Sequence, residues 1–278
     1  MNGEISSRIN IACPDDLGQL QGVVGGFQCC SCGRHFPSVD GIAELLPREA
    51  LQETSPENSQ LNAYRASFSN RPERAWRNSL GVFLNLLGNA YLYSWTFRTL
   101  EKLTGGQSFA ILDAACGDGI LRRYLPNRHA YVGIDFSTRL LVRAQRYRPA
   151  TYFQADLNHL PFPSTAFDAV LSLQALQYLD RPQAALAEMA RVLKPGGKLL
   201  LTVPNDESFK YRRQGIPQIQ LQRFNRQSLP ALLAAKFEVL QATTRGFWLP
   251  VPKISLHAPG VYRTRWGLSW TVVATPKK

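Results

Sequence analysis

Histidine and acid are scarce in this chain. It holds four His in 278 residues, and 20 Asp and Glu stand against 32 Lys and Arg, a formal net charge of +12. With His35, His129, His159 and His257 as the whole supply, imidazole chemistry has few places to reside. Met1 to Asn10 holds no apolar run, so no secretory signal is visible and the expected compartment is the cytoplasm. No internal repeat or low-complexity tract is present, which excludes solenoid and fibrous architectures. Cysteine is also sparse: four of the five lie between Cys13 and Cys32, an odd, clustered set unlike a secreted disulfide framework. One absence is local. Asn78 to Phe97 contains no charged residue, but Asn78, Ser79, Asn85, Asn89, Ser94 and Thr96 interrupt it, so a buried or lid helix fits better than a bilayer span.

What is present is ordinary globular material, 45% hydrophobic and 19% charged, enough for one catalytic domain plus a small appendage. The positive charge gathers at one end, with 12 Lys and Arg against 3 Asp and Glu from Asp206 to Lys278. Such a stretch either attracts an anionic partner or serves as a solvated surface. Charge alone does not choose between them.

Three parts follow from the pattern. Residues 1–46 form a cysteine-containing unit ending in the turn-rich Pro37-Ser38-Val39-Asp40-Gly41. Residues 47–105 join a polar linker to a helical lid, with Leu80, Phe83, Leu84, Leu87 and Tyr91 at helical spacing. Residues 106–278 alternate strands and helices. Apolar runs fall at Phe109–Leu112, Tyr131–Ile134, Tyr152–Phe153, Phe167–Leu173, Lys198–Val203, Phe237–Leu240 and Trp270–Ala274, with clear helices at Thr138–Tyr147 and Arg181–Leu193. That alternation predicts an α/β, doubly wound sheet whose ligand sits at the carboxyl ends of the strands.

The strand ends are where the chemistry collects. Asp113-Ala114-Ala115-Cys116-Gly117-Asp118-Gly119 follows the first run, and its glycines permit a sharp turn close to a ligand. Asp113 and Asp118 would repel a pyrophosphate and suit a cofactor with ammonium and sulfonium centres. The second run ends at Asp135, where a carboxylate can accept both hydroxyls of a ribose. The third is followed by Asp156, placed to accept from an adenine amino group. Each Asp alone is commonly a turn or cap residue. Three in series point to a nucleoside site.

Leu112–Gly119, Gly133-Ile134-Asp135-Phe136-Ser137, Asp156 with Leu160-Pro161-Phe162, Phe167-Asp168-Ala169-Val170 and Glu188–Leu199 together resemble a class I S-adenosylmethionine-dependent methyltransferase. The nearest likeness is the subgroup that includes ubiquinone and menaquinone methyltransferases. The resemblance implies a Rossmann-like seven-stranded sheet, mostly parallel with one antiparallel strand. It also implies that Asp113, Ala115, Gly117 and Gly119 line the methionine and ribose side, that Asp135 holds the ribose and that Phe136 packs on adenine. Asp156 and Leu157 would read the adenine edge, and Leu173 and Gln174 would border the methionine. Two positions depart from the family: Ala115 replaces its first glycine, and Gln177 and Tyr178 stand where many relatives carry histidines.

Cys13-Pro14-Asp15-Asp16 and Cys29-Cys30-Ser31-Cys32 resemble the two knuckles of a zinc ribbon, with Asp16 in place of one cysteine. Cys13, Asp16, Cys29 and Cys32 are thus a candidate structural zinc set, the other reading being a degenerate ribbon that keeps its shape without metal. The reaction implied is in-line transfer of a methyl group to a small hydrophobic or aromatic metabolite. His257, in the variable acceptor region at about 205–265, and Tyr178 are the candidate catalytic side chains. Two alternatives stay open: a ribosomal-RNA base methyltransferase using Lys210, Arg212, Arg213, Arg223 and Arg226 on phosphates, and a non-catalytic cofactor-binding module. Oligomeric state has no signature here.

Overall fold

Strand propensity and burial coincide in the runs above, and each becomes a strand in the computed structural model, which describes residues 9–51, 93–215, 220–251, 254–262 and 267–277. Four short strands come first: β1 (Leu20–Val23), β2 (Gly26–Cys29), β3 (His35–Val39) and β4 (Ile42–Leu45). Helix α1 is described over 93–104. The α/β part then runs β5 (Ala110–Ala114), β6 (Ala130–Asp135), α2 (Thr138–Tyr147), β7 (Thr151–Ala155), β8 (Phe167–Leu173), α3 (Pro182–Val192) and β9 (Leu193–Pro204). It closes with α4 (Phe209–Gln214), α5 (Ser228–Leu233), β10 (Phe237–Val251), β11 (Ile254–Tyr262) and β12 (Ser269–Pro276). The expected lid residues Leu80, Phe83, Leu84, Leu87 and Tyr91 lie outside the described residues.

All the strands belong to one mixed sheet in the order β1-β2-β3-β4-β7-β6-β5-β8-β9-β12-β10-β11. From β7 to β10 this is a Rossmann-like arrangement of seven strands, parallel except for β12, which runs antiparallel to β9 and β10. The sheet does not stop at seven. β4 adds parallel to β7 through Ala43↔Phe153, Glu44↔Gln154 and Leu45↔Ala155, and β11 adds antiparallel to β10. Both edges that a seven-stranded sheet would leave open are thereby paired.

Apolar clusters pack the two faces. Ala185, Leu186, Met189 and Val192 of α3, with Leu229 and Leu233 of α5, cover one face together with Cys13, Leu20, Cys29 and Phe36 of the N-terminal unit. Leu100 of α1 and Leu141 and Ala144 of α2 cover the other, where Ile111, Tyr131, Leu171, Leu200 and Val273 point. The N-terminal unit therefore shares the sheet and one core with the α/β part.

The pairing of β10 with β12 ends at Arg245↔Ser269, yet β10 continues to Val251 and β11 returns beside it. At about 3.4 Å per residue, this hairpin overhangs the carboxyl ends of the parallel strands by about 20 Å. The overhang and the strand ends define the working edge of the sheet.

Candidate functional site

The loop after β5 is built for close approach. Ala115, Gly117 and Gly119 all take positive φ, at 69°, 56° and 70°. Cys116 N–H donates to Ile134 O at 2.8 Å and Gly119 N–H to Cys116 O at 2.9 Å, so the turn is stitched onto β6. A Cβ on Gly119 would meet Tyr152 Oη at 2.7 Å, so only glycine fits there. Ala115 adopts the left-handed conformation that the family's glycine would take without strain.

Two buried carboxylates flank this turn. Gly117 N–H donates to Asp135 Oδ2 and Ser137 N–H to Asp135 Oδ1, both at 2.9 Å. Each oxygen keeps lone-pair capacity for a further donor, which suits a vicinal diol. Burial raises the Asp135 carboxyl above its usual range. Asp113 accepts from Tyr131 Oη at 2.6 Å, and its burial pushes it up to about 7 despite that bond. The Asp118 carboxylate lies 3.8 Å from Arg143 and 3.6 Å from Arg148, and its charge adds to the rise in the Asp135 pKa.

The remaining expected contacts line the same working edge. Gln154 Nε2 donates to Phe136 O at 2.9 Å and fixes the peptide after Asp135. Asp156 Oδ1 accepts from Asn158 N–H at 2.8 Å, and its other oxygen lies 3.9 Å from His159 Nδ1, whose pKa it raises. Leu157 is buried beside it. Leu173 ends β8, and Gln174 then takes φ +60° while its N–H donates to Thr202 O at 2.9 Å. A side-chain-bearing residue held there is strain of the kind that collects at ligand sites.

The other motif residues hold this edge in place. Arg191 donates to Phe162 O at 2.7 Å, to Leu160 O at 3.0 Å and to Glu188 at 2.7 Å, while Leu160 N–H donates to Glu188 Oε2 at 2.8 Å. This clamp fixes the loop that follows Asp156. Asp168 accepts from Ala110 N–H and from Lys194 Nζ, both at 2.8 Å, and so locks the entry of β5 to β8 and β9.

Residues 112–201 match the methyltransferase domain family. Malonyl-[acyl-carrier protein] O-methyltransferase of Enterobacter lignolyticus is 39% identical over 117 residues, 41% of this chain and 47% of that protein. Demethylmenaquinone methyltransferase of Corynebacterium urealyticum is 41% identical over 108 residues, 38% of this chain and 46% of that protein. The chain thus spans about half the length of the curated relatives it matches. A SAM-dependent methyltransferase structure from Thermotoga maritima superposes with a TM-score of 0.52 at 22% identity, over 67% of this chain and 89% of its own, a likeness of fold.

The two expected catalytic side chains differ in placement, Tyr178 inside the matched segment and His257 beyond it. Tyr178 lies in the 3-10 turn Leu176–Tyr178 directly after β8, beside Gln177, whose Nε2 donates to Gln174 O at 2.8 Å. His257 lies on β11 opposite Trp248 in the overhanging half of the hairpin. Of the other imidazoles, His129 is structural: its Nδ1 accepts from Phe109 N–H at 3.1 Å and its Nε2 lies 3.2 Å from Glu101.

The basic residues after β9 sit in different environments, and Arg223 is exposed. Arg226 lies 3.9 Å from Glu207, and burial lowers the Lys210 ammonium pKa. Arg212 and Arg213 are exposed on α4.

In the N-terminal unit the ligand atoms of Cys13, Asp16, Cys29 and Cys32 all lie within 4.8 Å of one another. Cys13 Sγ is 3.8 Å from Cys32 Sγ, and Cys29 Sγ is 3.5 Å from Asp16 Oδ1. Tetrahedral bonds of about 2.3 Å to sulfur and about 2.0 Å to oxygen give edges of about 3.8 and 3.5 Å, so the set fits a thiophilic cation. Ser31 and Cys32 N–H groups both donate to Cys29 Sγ at 3.4 Å, as they would to a thiolate ligand. Cys30 is exposed and stands apart from the set. Among the described residues no helix is long and apolar enough to cross a membrane.

Proposed function

We propose that this protein is an S-adenosylmethionine-dependent methyltransferase acting on a small, hydrophobic or aromatic metabolite, and that it works in the cytoplasm. The observation that carries the reading is Asp135, a buried carboxylate tied to Gly117 and Ser137 with one bond per oxygen, at the carboxyl end of β6 beside a left-handed turn. Asp135 would hold the ribose hydroxyls and Phe136 the adenine face, with Asp156 and Leu157 at the adenine edge. Asp113, Ala115, Gly117, Gly119, Leu173 and Gln174 would line the methionine side. When bound, the cofactor supplies an electrophilic methyl group. The chain's own work is then to orient the acceptor, exclude water and present negative charge near the cationic centre. Tyr178 borders the acceptor side, and His257, on the overhang, is the candidate proton acceptor for an acceptor group that starts protonated.

The matched relatives support a metabolite group as acceptor, since their names specify malonyl on an acyl-carrier protein and demethylmenaquinone. Residues 1–46 would be the cation-binding unit, with zinc in a structural role at Cys13, Asp16, Cys29 and Cys32, because four protein ligands leave no open position. Residues 47–105 would form linker and lid, and 106–278 the catalytic domain.

Equilibrium dialysis with methyl-labelled S-adenosylmethionine tests the reading. Displacement by S-adenosylhomocysteine but not by NAD or ATP is expected. No retention of label, or equal displacement by NAD, would overturn it.

A further inference from the structure

The cofactor-side carboxylates and the far strands share one sheet face, and the register shows what that face carries next. Asp113 pairs with Gly133 and Leu171, and one row below the strand ends the face is wholly apolar across Leu171, Leu200 and Val273. The next row up, level with Asp135, runs Leu173↔Thr202↔Thr271↔Thr243 across β8, β9, β12 and β10. Three threonines thus stand directly opposite one another, with neighbouring Cβ atoms about 5 Å apart.

Two of the three hydroxyls are not spent on the fold. Thr271 is 1% exposed and Thr202 0%, yet Thr271 Oγ1 and Thr243 Oγ1 are buried with no hydrogen-bond partner. Thr202 Oγ1 accepts from Gln174 Nε2 at 3.3 Å, which links the row to the strained residue after β8. A strand core has no need of orphaned hydroxyls, since valine has the same shape without the desolvation penalty. Two residues beyond Thr243, on the same face, the buried Arg245 lies over the Trp95 ring of α1 at 3.7 Å, so the row runs beneath a helix that carries aromatic residues.

We infer that Thr202, Thr271 and Thr243 are the acceptor subsite, and that the acceptor is an oxygen acid already ionised at neutral pH, held by these hydroxyls with its charge toward Arg245. The inference rests on the methyltransferase reading above and specifies its substrate class. Neutral hydroxyl donors and a nearby guanidinium favour an oxyanion over a neutral group. The row itself carries nothing able to take a proton, and an ionised acid needs no base. The acceptor oxygen forms the new O–CH3 bond as the S–CH3 bond breaks, and the electron pair of that bond stays on sulfur. No proton moves, and the products are a methyl ester or enol ether and a neutral thioether.

The test uses the full chain saturated with S-adenosylhomocysteine, whose own binding is measured first. Benzoate and phenylacetate are then titrated against benzamide and phenylacetamide, with wild type, Thr271→Val and Thr243→Val. The acids should bind about tenfold more tightly than the amides, as expected for bonds to a charged group, and each variant should lose most of that preference. Affinity for S-adenosylhomocysteine should stay within about twofold of wild type and the folded state should persist, because Thr→Val preserves side-chain shape and removes only a buried hydroxyl. Amides binding as well as acids, acids failing to bind, or a preference surviving in both variants would overturn the inference while leaving cofactor binding intact. Failure of S-adenosylhomocysteine itself to bind would overturn the methyltransferase reading, and this one with it.

Discussion

Replacing Asp113 by asparagine should flatten the pH dependence of stability. Asp113 is 3% exposed, and burial pushes its carboxyl from the ordinary 3.8 up to about 7. Between those two pH values the folded chain holds a proton that the unfolded chain has lost, so stability falls as pH rises, and the fall is complete above about 7. At about 1.4 kcal/mol per pH unit, this single group removes on the order of 4 kcal/mol of stability between pH 4 and pH 8. Asp113→Asn keeps an acceptor for Tyr131 Oη and removes the charge. Urea unfolding of the cofactor-free protein at pH 4.5, 6, 7 and 8 should show the wild type losing stability that the variant keeps. At pH 8 the variant should therefore be the more stable protein. Asp135, raised by the same cause, leaves a residual slope in both. Parallel curves for the two proteins would refute the reasoning. The same destabilisation explains why a cationic ligand would be welcome there, since it relieves a buried anion at the pH where the protein works.

Ala115→Gly should stabilise the fold by about 0.5–1 kcal/mol, the relief of a left-handed alanine less glycine's extra unfolded freedom, read as a melting rise of about 2 °C. Arg191→Ala should cost about 2–3 kcal/mol, because Leu160 O, Phe162 O and Glu188 lose their donor together, and weaker cofactor binding should accompany it. Stability at higher melting temperature upon adding zinc to chelator-treated protein should reach about 2.7 kcal/mol at a hundredfold excess over Kd, and Cys29→Ser should abolish it. Calorimetric melts check all three.

Most of the parallel sheet was legible because its strands are buried on both faces and read as unbroken apolar runs. Phe167–Leu173 and Thr138–Tyr147 have the bounds their patterns predict, and α3 starts one residue after the predicted Arg181 because Pro182 opens it. The long sheet edges were not legible. Pairing of β4 with β7 joins residues more than a hundred positions apart and depends on a packed N-terminal unit, for which no local pattern exists. The ion pairs of Asp118 with Arg143 and Arg148 were not legible, because these residues meet only once α2 folds back. The threonine row was invisible for the same reason, since Thr202, Thr271 and Thr243 become neighbours only through the registers of three strands. Ala115 departs from the family's glycine, and the structure supplies the physical consequence as a φ of +69°.

Isothermal titration of S-adenosylhomocysteine into wild type and Asp135→Asn tests the central claim most directly. Asparagine replaces one acceptor oxygen of Asp135 with a donor and removes the charge, so loss of a charged bond to a ribose hydroxyl should weaken binding by about tenfold or more. The account predicts saturable binding to the wild type and that loss in the variant, with unchanged circular dichroism. Absence of binding to the wild type, or equal affinity in both proteins, would contradict it.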